Sequence, residues 1–159
     1  MPPTPRPDFV RAAAAGLLGG LAASAVMTGF QAAWADATGK ANEGESTTVK
    51  AADAIAEPLT GTKVPKPYRE AAGSAVHYAT GAALGIGYAL AAEAEWPVTA
   101  GFGVVFGTAT AAILDEGVVP ALGLAPSPAD TPPATHAYSL ASHLVFAVAL
   151  EAVRRGLRG

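Results

Sequence analysis

The stretch from Ala71 to Glu116 decides the fold, because it contains two apolar segments joined by a short turn. The first segment is AAGSAVHYATGAALGIGYALAA, residues 71–92, which has no formally charged residue. The second is VTAGFGVVFGTATAAIL, residues 98–114, and Asp115 and Glu116 follow it. A helix needs about 20 apolar residues to cross a bilayer, and a helix satisfies its own backbone hydrogen bonds in lipid. The stretch therefore predicts two transmembrane helices.

Two more apolar segments flank this stretch, at Phe9 to about Ala35 and at Ala134 to Leu150. Residues 1–8 are rich in proline, so we expect a disordered tail there. Residues 9–159 are expected to form a single all-α membrane domain, a four-span transmembrane helical bundle. The expected spans are about residues 9–35, 70–93, 97–119 and 134–156, with a polar connection over residues 36–69.

The composition is typical of a membrane protein, because only 14% of the residues are charged and ordinary globular domains have about 25%. The net charge of −3 argues against a nucleic-acid partner. The absence of cysteine excludes disulfides, thiolate metal sites and cysteine nucleophiles. Two alternatives stay open. The apolar residues are mostly Ala and Gly, which a soluble bundle would also tolerate, and Ala33-Trp34-Ala35 imitates the cleavage site of a signal peptide.

The polar connection is expected to contain a short amphipathic helix. Residues 46–48, Ser-Thr-Thr, offer an N-cap, and Pro58 and Gly61 should end the helix at about Glu57. Its apolar and charged side chains separate onto opposite faces. Such a helix either lies in the membrane interface or covers one end of the bundle.

Glycines recur at small-xxx-small spacing in the second and third spans, which is typical of close helix packing in membranes. Either glycine ridge is expected to pack helices within the bundle or, alternatively, to form a homodimer face. The predicted packing residues are Gly73, Gly81 and Gly85 in the second span and Gly103 and Gly107 in the third.

Five ionisable residues fall in the same third of the predicted bundle: His77, Asp115, Glu116, His136 and His143. Ionisable residues inside membrane segments favour a functional hypothesis. Because His titrates near neutral pH, the cluster predicts a proton- or ion-responsive site. A small proton or ion transporter or channel subunit is one alternative, and a divalent metal site is a second. The structural alternative is hydrogen bonding that only joins helices. No cofactor is expected.

A charged set follows the last apolar segment, where the helix would leave the membrane. Glu151 lies three and four residues before Arg154 and Arg155, which is the spacing of ion pairs on one helix face. The arginines are expected to neutralise a half-buried carboxylate or, alternatively, to contact anionic lipid. Since the chain has no G-x-S-x-G elbow and no other recognisable catalytic set, we expect that it is not an enzyme.

Three motifs together carry a family resemblance. They are G-x-x-x-H-Y at residues 73–78, D-E…P-x-L-G-L at residues 115–124, and S-H-L-V-F…E-x-x-R-R at residues 142–155. Over roughly residues 10–158 the chain resembles the YagU-like family of bacterial inner-membrane proteins, a domain family of unknown function. The resemblance implies a multi-span protein of the bacterial cytoplasmic membrane. It implies no reaction, substrate or catalytic residue.

These observations predict an integral inner-membrane protein of structural or interaction type whose biochemical role is open. Its expected partner is the lipid bilayer, a homo-oligomer through the glycine ridges is a further hypothesis, and the sequence identifies no small-molecule substrate. Arginines adjoin the first and last spans, so the positive-inside rule favours both termini in the cytoplasm.

Overall fold

The computed structural model describes residues 7–39, 46–94 and 97–158, and every long regular element in this part of the chain is helical. The predicted all-α class is therefore confirmed. The helices are α1 (Phe9–Thr38), α2 (Thr47–Thr60), α3 (Arg69–Glu93), α4 (Val104–Ala121) and α5 (Pro133–Arg158). Single 3-10 turns lie at Lys66–Tyr68, Pro97–Thr99 and Pro128–Asp130.

Helix α1 lies at the centre, with α3 and α5 packed against it. The α1–α3 pair is antiparallel, since Gly16 on α1 faces Gly85 on α3 and Gly20 faces Gly81. Helix α4 packs on α5, and α2 packs on the start of α3. Removal of α1 as a signal peptide would thus take away the helix on which both of its neighbours pack.

The backbones of α1 and α3 touch along their seam because the residues there are glycines. A Cβ atom added to Gly85 would overlap the carbonyl oxygen of Gly16 and would lie 2.7 Å from the Cα of Gly20. A Cβ added to Gly81 would overlap the hydroxyl oxygen of Ser24. Such close approach is what small residues permit in membrane bundles, where dispersion contacts replace the hydrophobic effect. Gly81 and Gly85 thus pack helices inside the monomer.

The remaining predicted packing glycines also face neighbouring helices. Gly73 lies against Val49 of α2, while Gly103 and Gly107 lie against the backbone carbonyls of α5. These glycines therefore lie against neighbouring helices of the same chain.

A compact core forms where α1, α3 and α5 meet. Its buried members are Ala23, Met27, Tyr88, Phe146 and Leu150. Tyr88 and Leu150 are completely buried. At one end of the bundle, Trp34 of α1 lies 5.8 Å from the ring of Tyr138 on α5, which suits the aromatic belt of a membrane interface.

The third predicted span begins later than the apolar pattern indicates. The pattern predicts a helix that includes residues 98–103, but α4 starts at Val104. Gly101, Phe102 and Gly103 have φ angles of 62°, 58° and 87°, and left-handed residues cannot continue a right-handed helix. Hydropathy alone does not detect this backbone reversal.

Within α4, residues Ala111–Val118 form a π-helix. The N–H of Val119 donates to the carbonyl of Leu114, five residues earlier. Because a π-turn contains more residues than an α-turn, consecutive side chains are separated by a smaller angle around the axis. Asp115 and Glu116 lie in this segment, and both reach α5. Single π-turns in α-helices frequently mark functional sites.

The ends of the other helices follow local chemistry. The Ser46 side chain accepts a hydrogen bond from Val49 N–H, which confirms the predicted N-cap of α2. The predicted end of α2 at Glu57 is wrong, because Pro58 lies inside its last turn and the helix runs to Thr60, where Gly61 ends it. At the N-terminus, Asp8 caps α1. The predicted tail at residues 1–6 lies outside the described residues.

Among the described residues, three helices are long and apolar enough to cross a membrane: α1, α4 and α5. They indicate a membrane protein. The prediction of four spans is not confirmed, because α3 is not among them. Its glycines, two tyrosines and His77 lower its mean hydropathy, although its 25 residues would cover more than the thickness of a bilayer's hydrocarbon core, at about 1.5 Å per residue.

Replacing Gly85 by Ala tests the seam. Because the added methyl group meets backbone atoms that cannot rotate away, we expect a loss of about 1–3 kcal/mol in stability, seen as a lower melting temperature in detergent. Gly87→Ala is the matched control on the same helix, since a Cβ there meets no other described atom within 4 Å. Equal melting temperatures for the two variants would contradict a backbone contact at Gly85.

Candidate functional site

The antiparallel packing of α4 on α5 sets the geometry of the site. Gly107 lies against the carbonyl of His143, and Gly103 lies against the carbonyl of Ala147, one turn along α5. This register carries the π-helical segment of α4 toward the first two turns of α5. Asp115 and Glu116 then meet polar side chains of α5 in two separate pairs.

The first pair, called here the inner pair, is Asp115 with His143. His143 Nε2 lies 3.0 Å from Asp115 Oδ2, and the Ser139 hydroxyl donates to the same oxygen. His143 is buried, with 8% of its surface exposed. The two donors stabilise the ionised form of Asp115.

The other ring nitrogen of His143 defines what the inner pair can accept. Nδ1 is buried and has no hydrogen-bond partner among the described residues. In the neutral ring this atom is an acceptor. If it were protonated, a buried N–H would lack an acceptor, which costs about 1–3 kcal/mol. The inner pair thus has a buried nitrogen that makes no hydrogen bond to the described residues.

The second pair, called here the outer pair, is Glu116 with His136. His136 Nδ1 lies 2.6 Å from Glu116 Oε1, and His136 Nε2 lies 3.2 Å from the carbonyl oxygen of Pro128. About a third of each side chain is exposed, 33% for His136 and 35% for Glu116. The pair is thus within reach of water at the end of the bundle.

Hydrogen-bond chemistry fixes the number of protons in the outer pair. A carbonyl oxygen and a carboxylate oxygen can only accept, and a neutral imidazole has a single N–H donor. Both contacts of His136 are satisfied if the ring is an imidazolium beside an ionised Glu116, or if a protonated Glu116 donates to a neutral ring. Either arrangement holds one proton more than a neutral His136 with an ionised Glu116.

The fifth predicted residue, His77, does not join these pairs. Its Nε2 lies 3.3 Å from the hydroxyl of Thr28 and 3.3 Å from the carbonyl of Ser24, both on α1. His77 therefore bridges the α1–α3 seam, which agrees with the structural alternative of hydrogen bonding that only joins helices. The structure brings together four of the five predicted residues, in two pairs, and leaves His77 on another interface.

The same geometry bears on the metal hypothesis. Within residues 7–39, 46–94 and 97–158, no group of three or more His, Asp or Glu side chains is arranged to hold a metal ion. Each of the two pairs offers one imidazole and one carboxylate.

A second ionic site, called here the Glu151 network, lies near the other end of α5. Glu151 is completely buried and accepts hydrogen bonds from Arg154 Nε at 2.6 Å and Arg155 Nε at 2.6 Å. The Tyr88 hydroxyl of α3 donates to it at 2.8 Å. The predicted neutralising arginines are thus present, but the carboxylate is fully rather than half buried. A buried carboxylate of this kind persists only with several donors.

The Glu151 network also holds the loop before α4. The Arg155 guanidinium lies 4.6 Å from the centre of the Phe102 ring, a cation–π contact. Phe102 has a positive φ although it is not a glycine, a conformation that costs about 1–3 kcal/mol unless its surroundings impose it. Nearby, Arg158 donates to Glu93, which also accepts from the backbone of Asp8.

Several of these partners escape sequence reasoning. Tyr88 lies in an apolar segment and resembles a core aromatic residue, and the carbonyl of Pro128 has no side-chain signal at all. The pairing of Glu93 with Arg158 joins the ends of two predicted spans. The sequence signal for this pairing was the charge at the end of each span, because a buried charge needs a partner.

Tyr88→Phe tests the Glu151 network. The change removes one donor from a buried carboxylate and leaves the packing intact, so we expect a loss of about 1.5–3 kcal/mol, measured by thermal unfolding in detergent. Tyr78→Phe is the matched control on α3, because Tyr78 is half-buried and its described contact is a ring contact with His77. A Tyr88→Phe protein as stable as the control would show that the hydroxyl contributes nothing.

Comparison with known proteins gives one match. The family model of a protein family of unknown function, DUF1440, matches residues 52–152. No curated protein and no solved structure matches the chain significantly. The matched residues include α3, α4 and most of α5, and with them both acid–imidazole pairs and Glu151. The chain belongs to the DUF1440 family of proteins of unknown function.

Proposed function

We propose that this protein crosses the membrane four times and carries a proton-binding site in the outer pair. The first part rests on the packing of α3. Helix α1 is a candidate span, and α3 contacts it from Glu93, which accepts from the N–H of Asp8 just before α1, to His77 opposite Ser24. A helix that follows a spanning helix over this length lies at the same depth in the bilayer.

The proposed orientation and location rest on the charges at the helix ends and on the family resemblance. Arg11 precedes most of α1, and Arg154, Arg155 and Arg158 end α5, so the positive-inside rule supports cytoplasmic termini. The resemblance to YagU-like proteins supports the bacterial inner membrane. A structural or interaction role, rather than an enzymatic one, agrees with ionic groups that are engaged in pairing helices.

Single cysteines test the number of spans, and the chain has no native cysteine to remove. Thr62→Cys lies between α2 and α3, and Ala129→Cys lies between α4 and α5; both positions are exposed. With four spans both thiols are on the same side, so one membrane-impermeant maleimide should label both in sealed, oriented vesicles. With three spans, α3 does not cross, and the two thiols would react from opposite sides.

The single observation that carries the proton-binding function is the pair of acceptors on His136. Glu116 and the Pro128 carbonyl together demand the extra proton identified above. Imidazoles change charge between about pH 5 and 8, and the outer pair is partly open to water. The site can therefore take up and release a proton in the physiological range.

The other functional hypotheses receive less support from the geometry. A transporter needs a polar route through the bundle. Between His143 and Glu151, however, α5 buries Phe146, Ala147 and Leu150 for two turns. Metal binding would require further ligands beyond each pair. A site that responds to protons and transmits the change to neighbouring elements needs neither.

Nitrogen-15 NMR of the imidazoles tests the proton assignment, because the chain has only three histidines. At about pH 7 we expect His136 to give the spectrum of a ring with hydrogens on both nitrogens, or of a neutral ring that receives a strong hydrogen bond from Glu116. His→Gln variants assign the three signals.

Glu116→Gln provides the matched perturbation. The amide removes the carboxylate charge that favours the extra proton, so His136 should become neutral at a lower pH than in the wild type. Asp115→Asn, the same change one residue earlier, should leave the His136 titration nearly unchanged. A neutral His136 that titrates like a free imidazole in the wild type would rule out the proposed proton site.

A further inference from the structure

We propose that His136 is a proton-dependent latch for the α4–α5 loop, defined as residues Leu122–Pro132, and that this latch controls access to a polar cavity beside α2. The inference rests on the proposed proton site. It adds an output to that site, since it names the structural element that moves when the proton leaves.

The latch is the hydrogen bond from His136 Nε2 to the carbonyl of Pro128, 3.2 Å long. His136 belongs to the first turn of α5, whereas Pro128 lies in the middle of the α4–α5 loop. His136 also binds Glu116 on α4. A single imidazole thus joins the loop to both helices that the loop connects, but only while it or Glu116 carries the extra proton.

Loss of the proton breaks a particular contact. A deprotonated His136 has one N–H donor for two acceptors. Glu116 is then ionised, and hydrogen bonds to a charged acceptor are stronger than those to a neutral carbonyl. The remaining N–H therefore stays with Glu116, and the Pro128 carbonyl is released.

The loop can move as a unit because its middle is internally bonded. The Ser127 hydroxyl donates to Asp130 at 2.6 Å, and the Thr131 hydroxyl donates to the Ser127 carbonyl at 3.0 Å. The Pro128 carbonyl also accepts from Thr131 N–H at 3.3 Å, so it keeps a partner after His136 leaves. Release of the latch consequently leaves no buried orphan group at this carbonyl.

Gly123 of the loop lines one edge of an open polar cavity of about 320 Å³ beside α2. Lys50 of α2 donates to the carbonyl of Leu124 at 3.2 Å, which is a second tether of the loop. The cavity is lined by Lys50, Asp53, Ala54, Glu57, Lys63 and Gly123. With the latch released, the loop is held on this side by Lys50 alone among the contacts described, and the cavity can widen.

The charged groups near His136 that lie outside the outer pair already have partners. The outer pair is therefore the group that titrates in the physiological range. Glu116 and Asp115 come from α4, Asp130 from the loop and Lys50 from α2. Asp115 is engaged by Ser139 and His143, and Asp130 is engaged by Ser127. Lys50 donates to the backbone carbonyl of Leu124.

Electron paramagnetic resonance distances test the latch in the full chain. Spin labels are placed at Ala129→Cys, which is exposed in the loop, and at Gly29→Cys on α1, where a side chain meets no other described atom within 4 Å. In lipid nanodiscs we expect one distance population at about pH 5 and a second, broader population at about pH 8. His136→Gln should show the broad population at both pH values.

His77→Gln is the matched control, because it removes an imidazole that does not contact the loop, and it should keep the pH-dependent change of the wild type. A wild-type distance that is the same at both pH values would overturn the latch. The NMR titration of His136 separates the two proposals. If His136 loses its proton and the loop stays in place, the latch alone fails; if His136 never holds the proton, the proton site fails with it.

Discussion

Close contact between the backbones of α1 and α3 is the constraint on which the rest of the structure depends. Four glycines, Gly16, Gly20, Gly81 and Gly85, bring the helices so near that added Cβ atoms would overlap atoms of the facing helix. This contact places Tyr88 of α3 in reach of Glu151 on α5. The buried carboxylate then fixes Arg155 over Phe102, and thereby the start of α4.

The ionisable groups of α5 divide into two kinds. Glu151 is completely buried with three donor residues around it, which makes it a fixed charge that organises structure. His136 and His143 each pair with a different carboxylate of the π-helical segment, and their second ring nitrogens differ in surroundings. That of His136 faces the carbonyl of Pro128, whereas that of His143 is buried without a hydrogen-bond partner among the described residues. One helix therefore carries both the buried Glu151 network and the proposed proton-binding site of the outer pair.

Much of the helical organisation could be predicted from the sequence, because apolar length, proline and glycine act locally. The all-α class, the N-cap at Ser46 and the approximate ends of α3 and α5 followed from such signals. The start of α4 did not, since backbone handedness at Phe102 has no hydropathy signal. The meeting of Asp115 with His143 depended on helix register, and the role of the Pro128 carbonyl depended on a loop conformation that composition does not encode.

The modest hydropathy of α3 has a consequence for how the chain is assembled. Helix α3, the additional span proposed above, has a glycine-rich face that gains little from contact with lipid. Its partition into the bilayer as an isolated helix is therefore weak. Its favourable surroundings are provided by α1, which is synthesised earlier. The helices of this protein would then insert in sequence. Helix α1 would stay beside the insertion machinery until α3 emerges and packs against it.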